Sequence, residues 1–291
     1  MFKRLFDFRF HIIPFINPFL GWQISSLKDN CGVTQEKRET PVIVSLTSVE
    51  DRFGSLKKTL YSLIMQSRKP DRIILWLSSD IKSISDLPYE ITQFIKYGLE
   101  IRFVKDIGPY TKAVYAFKEF PSSIIITADD DIYYRKDWLD RLYMSYAAHP
   151  ENIHAHRVHL VKYKNGIIES YESWDKHIKK EGASYNYFLT GAGGVLYPPN
   201  CFSNEVFRED IFLSCAPNAD DIWFWVMALA CGKKIRLVKE HYNNLICTNV
   251  RGTILGKTLY SKNRKGGNDE QMYNILRYYG RNILPKLNSL G

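Results

Sequence analysis

Short runs of β-branched and large apolar residues, each cut off by a polar or turn-forming cluster, recur through the first half of the chain. Pro41 opens the run Val42, Ile43, Val44, Ser45, Leu46 and Thr47, which predicts a first strand. Leu56, Leu60, Leu63 and Ile64 then recur at helical spacing and predict a helix over 54–66. Pro70 closes that connection, and 72–77 predicts a second strand. Strand, helix, strand in this order begins a βαβ unit and a mostly parallel sheet. Leu87, Ile91, Phe94 and Ile95 predict a helix over 86–97, and 101–104 a third strand. A turn at Gly108 and Pro109 leads to a helix over 111–120. Ile124, Ile125 and Ile126 predict a fourth strand buried on both faces, which stops at Asp129, Asp130 and Asp131. Trp138, Leu142 and Tyr143 mark a further helix before Pro150.

The pattern changes after 150. Residues 155–163 and 167–171 predict a hairpin turned by Asn165 and Gly166. Gly191, Gly193 and Gly194 sit in a loop that runs into an extended piece at Tyr197. A strongly apolar helix is predicted over 220–231, a late strand over 234–238 and a last helix over 269–280. The chain thus divides into a lead-in over 1–40, a first half over 41–150, a second half of the same domain over 151–250, and a tail over 251–291.

Composition narrows the class without choosing a chemistry. With 291 residues, 45% hydrophobic and 24% charged, the chain is long enough for one large core. Its five cysteines, Cys31, Cys201, Cys215, Cys231 and Cys247, have no paired spacing, which fits a reducing compartment better than a disulfide scaffold. The net charge of +9 is concentrated in 251–291, where eight basic side chains stand against Asp269 and Glu270. Such a field attracts phosphates, whether on a nucleotide, a nucleic acid or an anionic membrane. No apolar stretch approaches the roughly 20 residues needed to cross a bilayer. The first 23 residues are rich in Phe, Ile and Leu but are broken by Pro14 and Pro18. A peripheral membrane contact and docking on the domain or on a second subunit both fit that segment. The expected location is the cytoplasm, including the cytoplasmic face of the membrane.

The candidate chemistry starts at the acidic triplet. Adjacent carboxylates repel one another and are costly to bury uncompensated. A cation site at the carboxyl edge of an open sheet explains them, and so does a solvated acidic turn. Asp129 and Asp131 stand two apart, so both reach one site if the strand continues. Asp220 and Asp221 open the apolar helix, where free amides stabilise an acid, and either is equally well a cap. Adjacent helical residues point about 100° apart, which gives the two different jobs. His154 and His156 share a strand face, yet no carboxylate completes a zinc-like spacing.

The ordered set resembles a bacterial nucleotide-sugar glycosyltransferase of the GT-A fold, family 2-like, of the capsule or lipopolysaccharide sugar type. The resemblance rests on Ser45, Leu46, Thr47 and Arg52, on 60–63 with Gln66, on 70–73, on Lys112, on the triplet, on the 191–194 loop with Tyr197 and Pro198, and on Ala219, Asp220 and Asp221. It implies an α/β fold: a single open, mostly parallel, twisted sheet with flanking helices and a C-terminal acceptor-binding region. It implies metal-dependent, inverting transfer of a hexose, UDP-linked by preference, to a hydroxyl of a surface glycan or lipid-linked acceptor. Asp131 and then Asp129 are the implied ligands of Mn2+ or Mg2+, with His241 a third ligand or merely a packed histidine. Thr47, Asp80, Asp129 and Asp130 are implied on the donor side. Arg52 either meets the diphosphate or forms an ion pair with Asp51 or Asp80. Lys112 faces the sugar and phosphates or is an ordinary surface lysine. Asp221, with Asp220 beside it, is the implied catalytic base. Gly193, Gly194, Tyr197 and Trp174 are implied on the acceptor side, while Trp223 and Trp225 belong to the core or wall.

Two other classes are weighed against this one. A non-catalytic carbohydrate- or nucleic-acid-binding protein on a nucleotide-binding fold suits the basic charge. No nucleic-acid motif accompanies that charge, and the acidic triplet opposes a phosphate backbone, so nucleic acid is not an expected partner. A phosphoryl-transfer enzyme lacks its phosphate-binding glycine loop.

Overall fold

The computed structural model describes residues 24–25, 27–81, 83–239, 245–249 and 266–279. The expectations for the aromatic lead-in to residue 23, for His241 and for most of the basic tail lie outside the described residues.

The first half forms β1 (Val42–Thr47), α1 (Phe53–Ile64), β2 (Arg72–Ser78), β3 (Leu99–Val104), α2 (Thr111–Glu119), β4 (Ile124–Thr127), β5 (Ile132–Tyr133) and α3 (Trp138–Ala148). The second half supplies β6 (Ile153–Ala155), β7 (Val158–Leu160), β8 (Tyr163–Lys164), β9 (Ile167–Ile168), β10 (Gly182–Ser184), β11 (Tyr187–Leu189), β12 (Val195–Tyr197), α4 (Glu209–Cys215), α5 (Asp220–Ala230), β13 (Ile235–Leu237), β14 (Ile246–Cys247) and α6 (Asn268–Tyr279). Strands from both sides of residue 150 share one eight-stranded sheet in the order β10-β13-β6-β12-β4-β1-β2-β3. The block β4-β1-β2-β3 is parallel, and β12 is inserted antiparallel between β4 and β6.

Side-chain alternation explains why these strands read as continuous apolar runs. Val42, Val44 and Leu46 of β1, Ile73, Leu75 and Leu77 of β2, and Ile124 and Ile126 of β4 face a core shared with α1 and α3. Ile43, Ile74, Trp76 and Ile125 face the opposite core, shared with α2, α4, α5 and α6. A strand covered on both faces needs apolar residues at every position.

Two predicted elements differ. The helix expected over 86–97 is broken into Ile84–Asp86, Tyr89–Thr92 and Ile95–Tyr97. Pro88 starts the middle piece, and Gly98, at φ 103°, stops the last. The hairpin around Asn165 and Gly166 exists, with both residues at positive φ, but its strands β8 and β9 hold two residues each. β6 instead enters the main sheet, and β7 pairs with β11.

The histidines of this region are structural. His154 joins Ser145 Oγ through Nδ1 at 2.8 Å and the His149 carbonyl through Nε2 at 3.1 Å. His156 Nε2 meets the Trp138 carbonyl at 2.9 Å. His159 Nδ1 accepts the His177 N–H at 3.1 Å. Burial lowers His154 to about 4 and His159 to about 3, since neither can hold a charge at low cost there. The unfolded chain therefore binds more protons than the folded one below the ordinary histidine range near 6.5. Stability is fully present above that value and is lost as pH falls toward 4 and then 3. Each histidine should contribute a slope of about 1.4 kcal/mol per pH unit in that window. The raised carboxyls of the acidic site act in the opposite sense over the same range. Urea unfolding of the wild-type chain is therefore compared with that of His154→Gln and His159→Gln at pH 7, 6, 5 and 4, and an identical pH dependence in all three contradicts the histidine contribution.

Candidate active site

The sheet changes direction at β1. The chain runs β1 to β2 to β3 on one side, then crosses back to place β4 on the other. In open α/β sheets this switch point leaves a crevice outside the carboxyl ends of the strands, where ligands bind. The carboxyl ends of β1 and β4 lie side by side there, with Ser45 opposite Thr127 and the Ala128 N–H donating to the Ser45 carbonyl at 3.0 Å. The triplet begins at the next residue.

The three acids do not share one environment. Asp130 turns inward and is 4% exposed. Its oxygens accept from Arg52 Nη1 at 2.9 Å and from Ser48 Oγ at 2.6 Å, while Thr59 Oγ1 donates to its carbonyl at 2.9 Å. Arg52 thus forms an ion pair, as one alternative proposed, but with neither Asp51 nor Asp80. Asp129 accepts from Lys112 Nζ at 2.7 Å, and its N–H donates to the Tyr134 hydroxyl at 2.8 Å. Asp131 is half-buried, and its backbone carbonyl accepts the Thr248 N–H at 2.6 Å where β14 pairs with β5. Burial, then Asp130 and Asp129, push the Asp131 carboxyl up to about 7.

Lys112 stands at the start of α2 and is 7% exposed, so it is not a surface lysine. Its carbonyl accepts from Ser45 Oγ, which in turn accepts from Trp76 Nε1 at 2.7 Å; the start of α2 is thereby fixed to β1. Its Nζ meets Asp129 at 2.7 Å and Asp220 Oδ2 at 3.1 Å. Burial works to lower its pKa, but Asp129, Asp220 and Asp221 outweigh this and hold it well above the usual lysine range. Asp221 points elsewhere: its Oδ1 accepts the Gly191 N–H at 2.9 Å. Burial, with Asp220 next in effect, holds Asp221 well above the usual carboxylate range.

The glycine loop fits closely over this group. A Cβ on Gly191 would lie 2.9 Å from Asp221 Oδ1 and 3.3 Å from Lys112 Nζ. The Gly193 carbonyl accepts from Trp138 Nε1 at 2.8 Å. Gly194 has φ 89° and ψ 137°, a region closed to side chains.

The remaining expectations fall outside this cluster. Thr47 Oγ1 donates to the Trp76 carbonyl at 2.9 Å, at the end of β1. Asp80 is exposed and accepts from Ser78 Oγ at 2.9 Å. Tyr197, 1% exposed, packs on Phe117, Phe202 and Phe224. Trp174, 4% exposed, packs on Tyr171 and Phe188. Neither ring offers an open face. Trp223 and Trp225 are fully buried, as the apolar helix pattern requires. Ser48, Thr59, Tyr134 and Trp138 hold the site together and carry no motif that singles them out in sequence.

Among the described residues, no group of three His, Cys, Asp or Glu side chains is arranged to hold a metal ion. Acidic side chains nevertheless outnumber the cations that face them. Five carboxylates, Asp129, Asp130, Asp131, Asp220 and Asp221, face two cations, Arg52 and Lys112. Asp131 and Asp221 form no ion pair among the described residues, and both are half-buried. All-oxygen donors suit Mg2+ or Mn2+.

A mostly parallel, twisted sheet with helices on both faces has the architecture of the GT-A fold. No family model matches the chain, and no curated protein matches it. Among solved structures, the mannosyltransferase PcManGT from Pyrobaculum calidifontis, in complex with GDP-Man and Mn2+, is similar with a TM-score of 0.51 and 11% identity, over 92% of this chain and 73% of that one. TarS 1-349 of S. aureus is similar with a TM-score of 0.45 and 16% identity over 68% of this chain, which spans 58% of that one's length. At 11% identity the likeness to the mannosyltransferase is one of fold.

A Cβ on Gly194 would stand 2.4 Å from Trp138 Nε1. The Trp138 ring lies 4.3 Å from Tyr134, whose hydroxyl holds Asp129. Gly194→Ala should therefore cost about 2–4 kcal/mol, combining backbone strain with overpacking. Chemical denaturation tests this, and a wild-type midpoint refutes the close fit.

Proposed function

We propose that this protein is an inverting hexosyltransferase that uses a nucleoside-diphosphate sugar, preferably UDP-linked, and a hydroxyl acceptor on a surface glycan or lipid-linked chain. The observation that carries the reading is the joining, through Lys112, of the acids at the end of β4 with the acid pair that opens α5. One end suits a leaving diphosphate and the other a reacting hydroxyl.

Asp131 and Asp129 would hold Mn2+ or Mg2+, whose charge, when bound, neutralises the departing nucleoside diphosphate. His241, outside the described residues, is the third ligand that the sequence offers. Asp130 and Arg52 brace the loop after β1, which would carry the nucleotide with Thr47 and Asp80. Asp221 takes the proton from the acceptor hydroxyl as that oxygen attacks the anomeric carbon, and the bond to the diphosphate oxygen breaks. Burial, with Asp220 next in effect, raises its basicity above that of an ordinary carboxylate, the direction a general base needs. The Gly191 N–H fixes the carboxylate's orientation. Gly193 and Gly194 pack at their Cα atoms against Arg157 and Trp138, so any acceptor contact there would be through the loop backbone. Lys112 keeps its charge throughout and holds Asp129 and Asp220 in register.

Asp131→Asn should abolish Mn2+-dependent release of UDP from a UDP-sugar, and unchanged metal affinity and turnover would remove Asp131 from the ligand set. Asp221→Asn should leave UDP-sugar binding intact and lower transfer by about 10²–10⁴-fold, the usual worth of a general base. Full turnover in that variant moves the base to Asp220 or elsewhere. A panel of nucleotide sugars with and without Mn2+, read by donor hydrolysis, names the donor.

A further inference from the structure

The helix that carries the acid pair has no local side-chain cap. Ala219 holds the cap position of α5 and offers nothing to the free amides of the first turn. The turn that leads into α5 is fixed instead by two distant groups. From just ahead of α2, the Tyr110 hydroxyl donates to the Ala216 carbonyl at 2.5 Å. From α6, Gln271 Oε1 accepts the Asn218 N–H at 2.8 Å. Gln271 Nε2 donates to the Gly267 carbonyl at 2.9 Å, which orients the amide. Gln271 is 8% exposed. A buried amide is costly unless its groups are bonded, and a position that only covered the core would be served by leucine or methionine. Asn218 stands three residues ahead of Asp221, less than one helical turn.

The two ends of α6 do different things. Its first turn reaches backbone on both sides of the acceptor half: Asp269 Oδ1 accepts the Tyr171 N–H at 2.6 Å, and Gln271 accepts the Asn218 N–H. Met272 and Ile275 are buried in the same core as Ile222 and Trp223 of α5. At the far end the Tyr279 hydroxyl donates to Glu205 Oε1 at 2.7 Å, and the ring lies 5.9 Å from Trp223. We propose that Gln271 is a positioning residue for Asp221, acting through the Asn218 N–H. This rests on the reading of Asp221 as the base. α6 supplies, 53 residues after Asn218, a holding contact that Ala219 cannot make. The carboxylate it serves is set closely, with Asp221 Oδ1 at 2.9 Å from the Gly191 N–H. Loss of the Gln271 contact leaves the core in place and lets the first turn of α5 shift. A misplacement of about 1 Å near a reacting group costs on the order of 10²-fold in rate.

The test follows hydrolysis of UDP-glucose, UDP-galactose and UDP-N-acetylglucosamine by the full chain in buffer containing Mn2+, with water in place of the acceptor hydroxyl. Gln271→Met keeps the side-chain length and removes both polar groups. It should lower kcat about tenfold and leave KM for the sugar unchanged. In an Asp221→Asn background the same change should cost nothing further, because a residue that acts through the base has nothing left to position. Tyr279→Phe loosens the other end of α6, and should lower the urea midpoint while keeping wild-type kcat. Equal loss of kcat in Gln271→Met and Tyr279→Phe means general loosening of α6 and overturns the proposal. Losses that multiply in the double variant with Asp221→Asn overturn it too. If Gln271→Met does not fold, Gln271→Asn, which withdraws the same carbonyl by one methylene, takes its place with the same expected outcomes. Full turnover in Asp221→Asn, or no turnover of any of the three sugars by the wild-type chain, refutes the base reading and the proposal with it. Impaired turnover in Asp221→Asn beside wild-type kcat in Gln271→Met leaves the base standing and refutes only the positioning role.

Discussion

The contact on which the rest of the site depends is the buried ammonium of Lys112 between Asp129 and Asp220. A lysine stays charged at this depth only if acids surround it, and adjacent acids stay folded at this depth only if a cation compensates them. Each half is costly without the other. The pair also spans 91 positions of sequence, from the end of β4 to the start of α5. β12, which pairs with β4, brings the second half of the chain beside the switch point, and the shared ammonium ties Asp129 to Asp220 there.

The parallel block was legible because its strands are covered on both faces. Burial on both sides forces apolar residues at every position of β1, β2 and β4, and such runs stand out against polar loops. Periodicity likewise located α1, α2, α3, α5 and α6 to within about two residues. The second half was less legible because its strands hold two or three residues and are placed by partners far away in sequence. β6 carries Ile153, His154 and Ala155, a polar residue flanked by apolar ones. Nothing local says that it lies parallel to β13, some 80 residues later. The helix expected over 86–97 failed for a different reason. Leu87, Ile91 and Phe94 are buried as the spacing requires while Ile95 is exposed; Pro88 breaks the segment and Gly98 ends it, so it packs as single turns rather than one helix.

Within the site, the acids were legible and their division of labour was not. A triplet at the end of a buried strand is conspicuous; that its middle member faces inward is not, since it depends on Ser48, Arg52 and Thr59 arriving from another part of the chain. The aromatic residues show the opposite error. Tyr197 and Trp174 look like sugar platforms because an aromatic ring can stack on a sugar face, yet both are absorbed into the core. A ring counts as a binding surface only when one face remains open, and sequence does not record which face that is.

The acid pair at the start of α5 shows how competing effects decide a role. A helix N-terminus favours carboxylates, by about 0.3–1 kcal/mol each in exposed cases, which would make Asp220 and Asp221 ordinary first-turn acids. Neither acts as the cap residue; that position is Ala219. Burial is the larger effect and raises both above the usual carboxylate range. The 100° step between neighbours on a helix then separates them, with Asp220 directed to Lys112 and Asp221 to the Gly191 N–H. Asp220 has a cation to hold it ionised. Asp221 has one amide and a like-charged neighbour, so it is the more willing of the two to accept a proton. A base must gain a proton readily without being protonated beforehand. In the proposed reaction this difference favours Asp221 over Asp220 as the base.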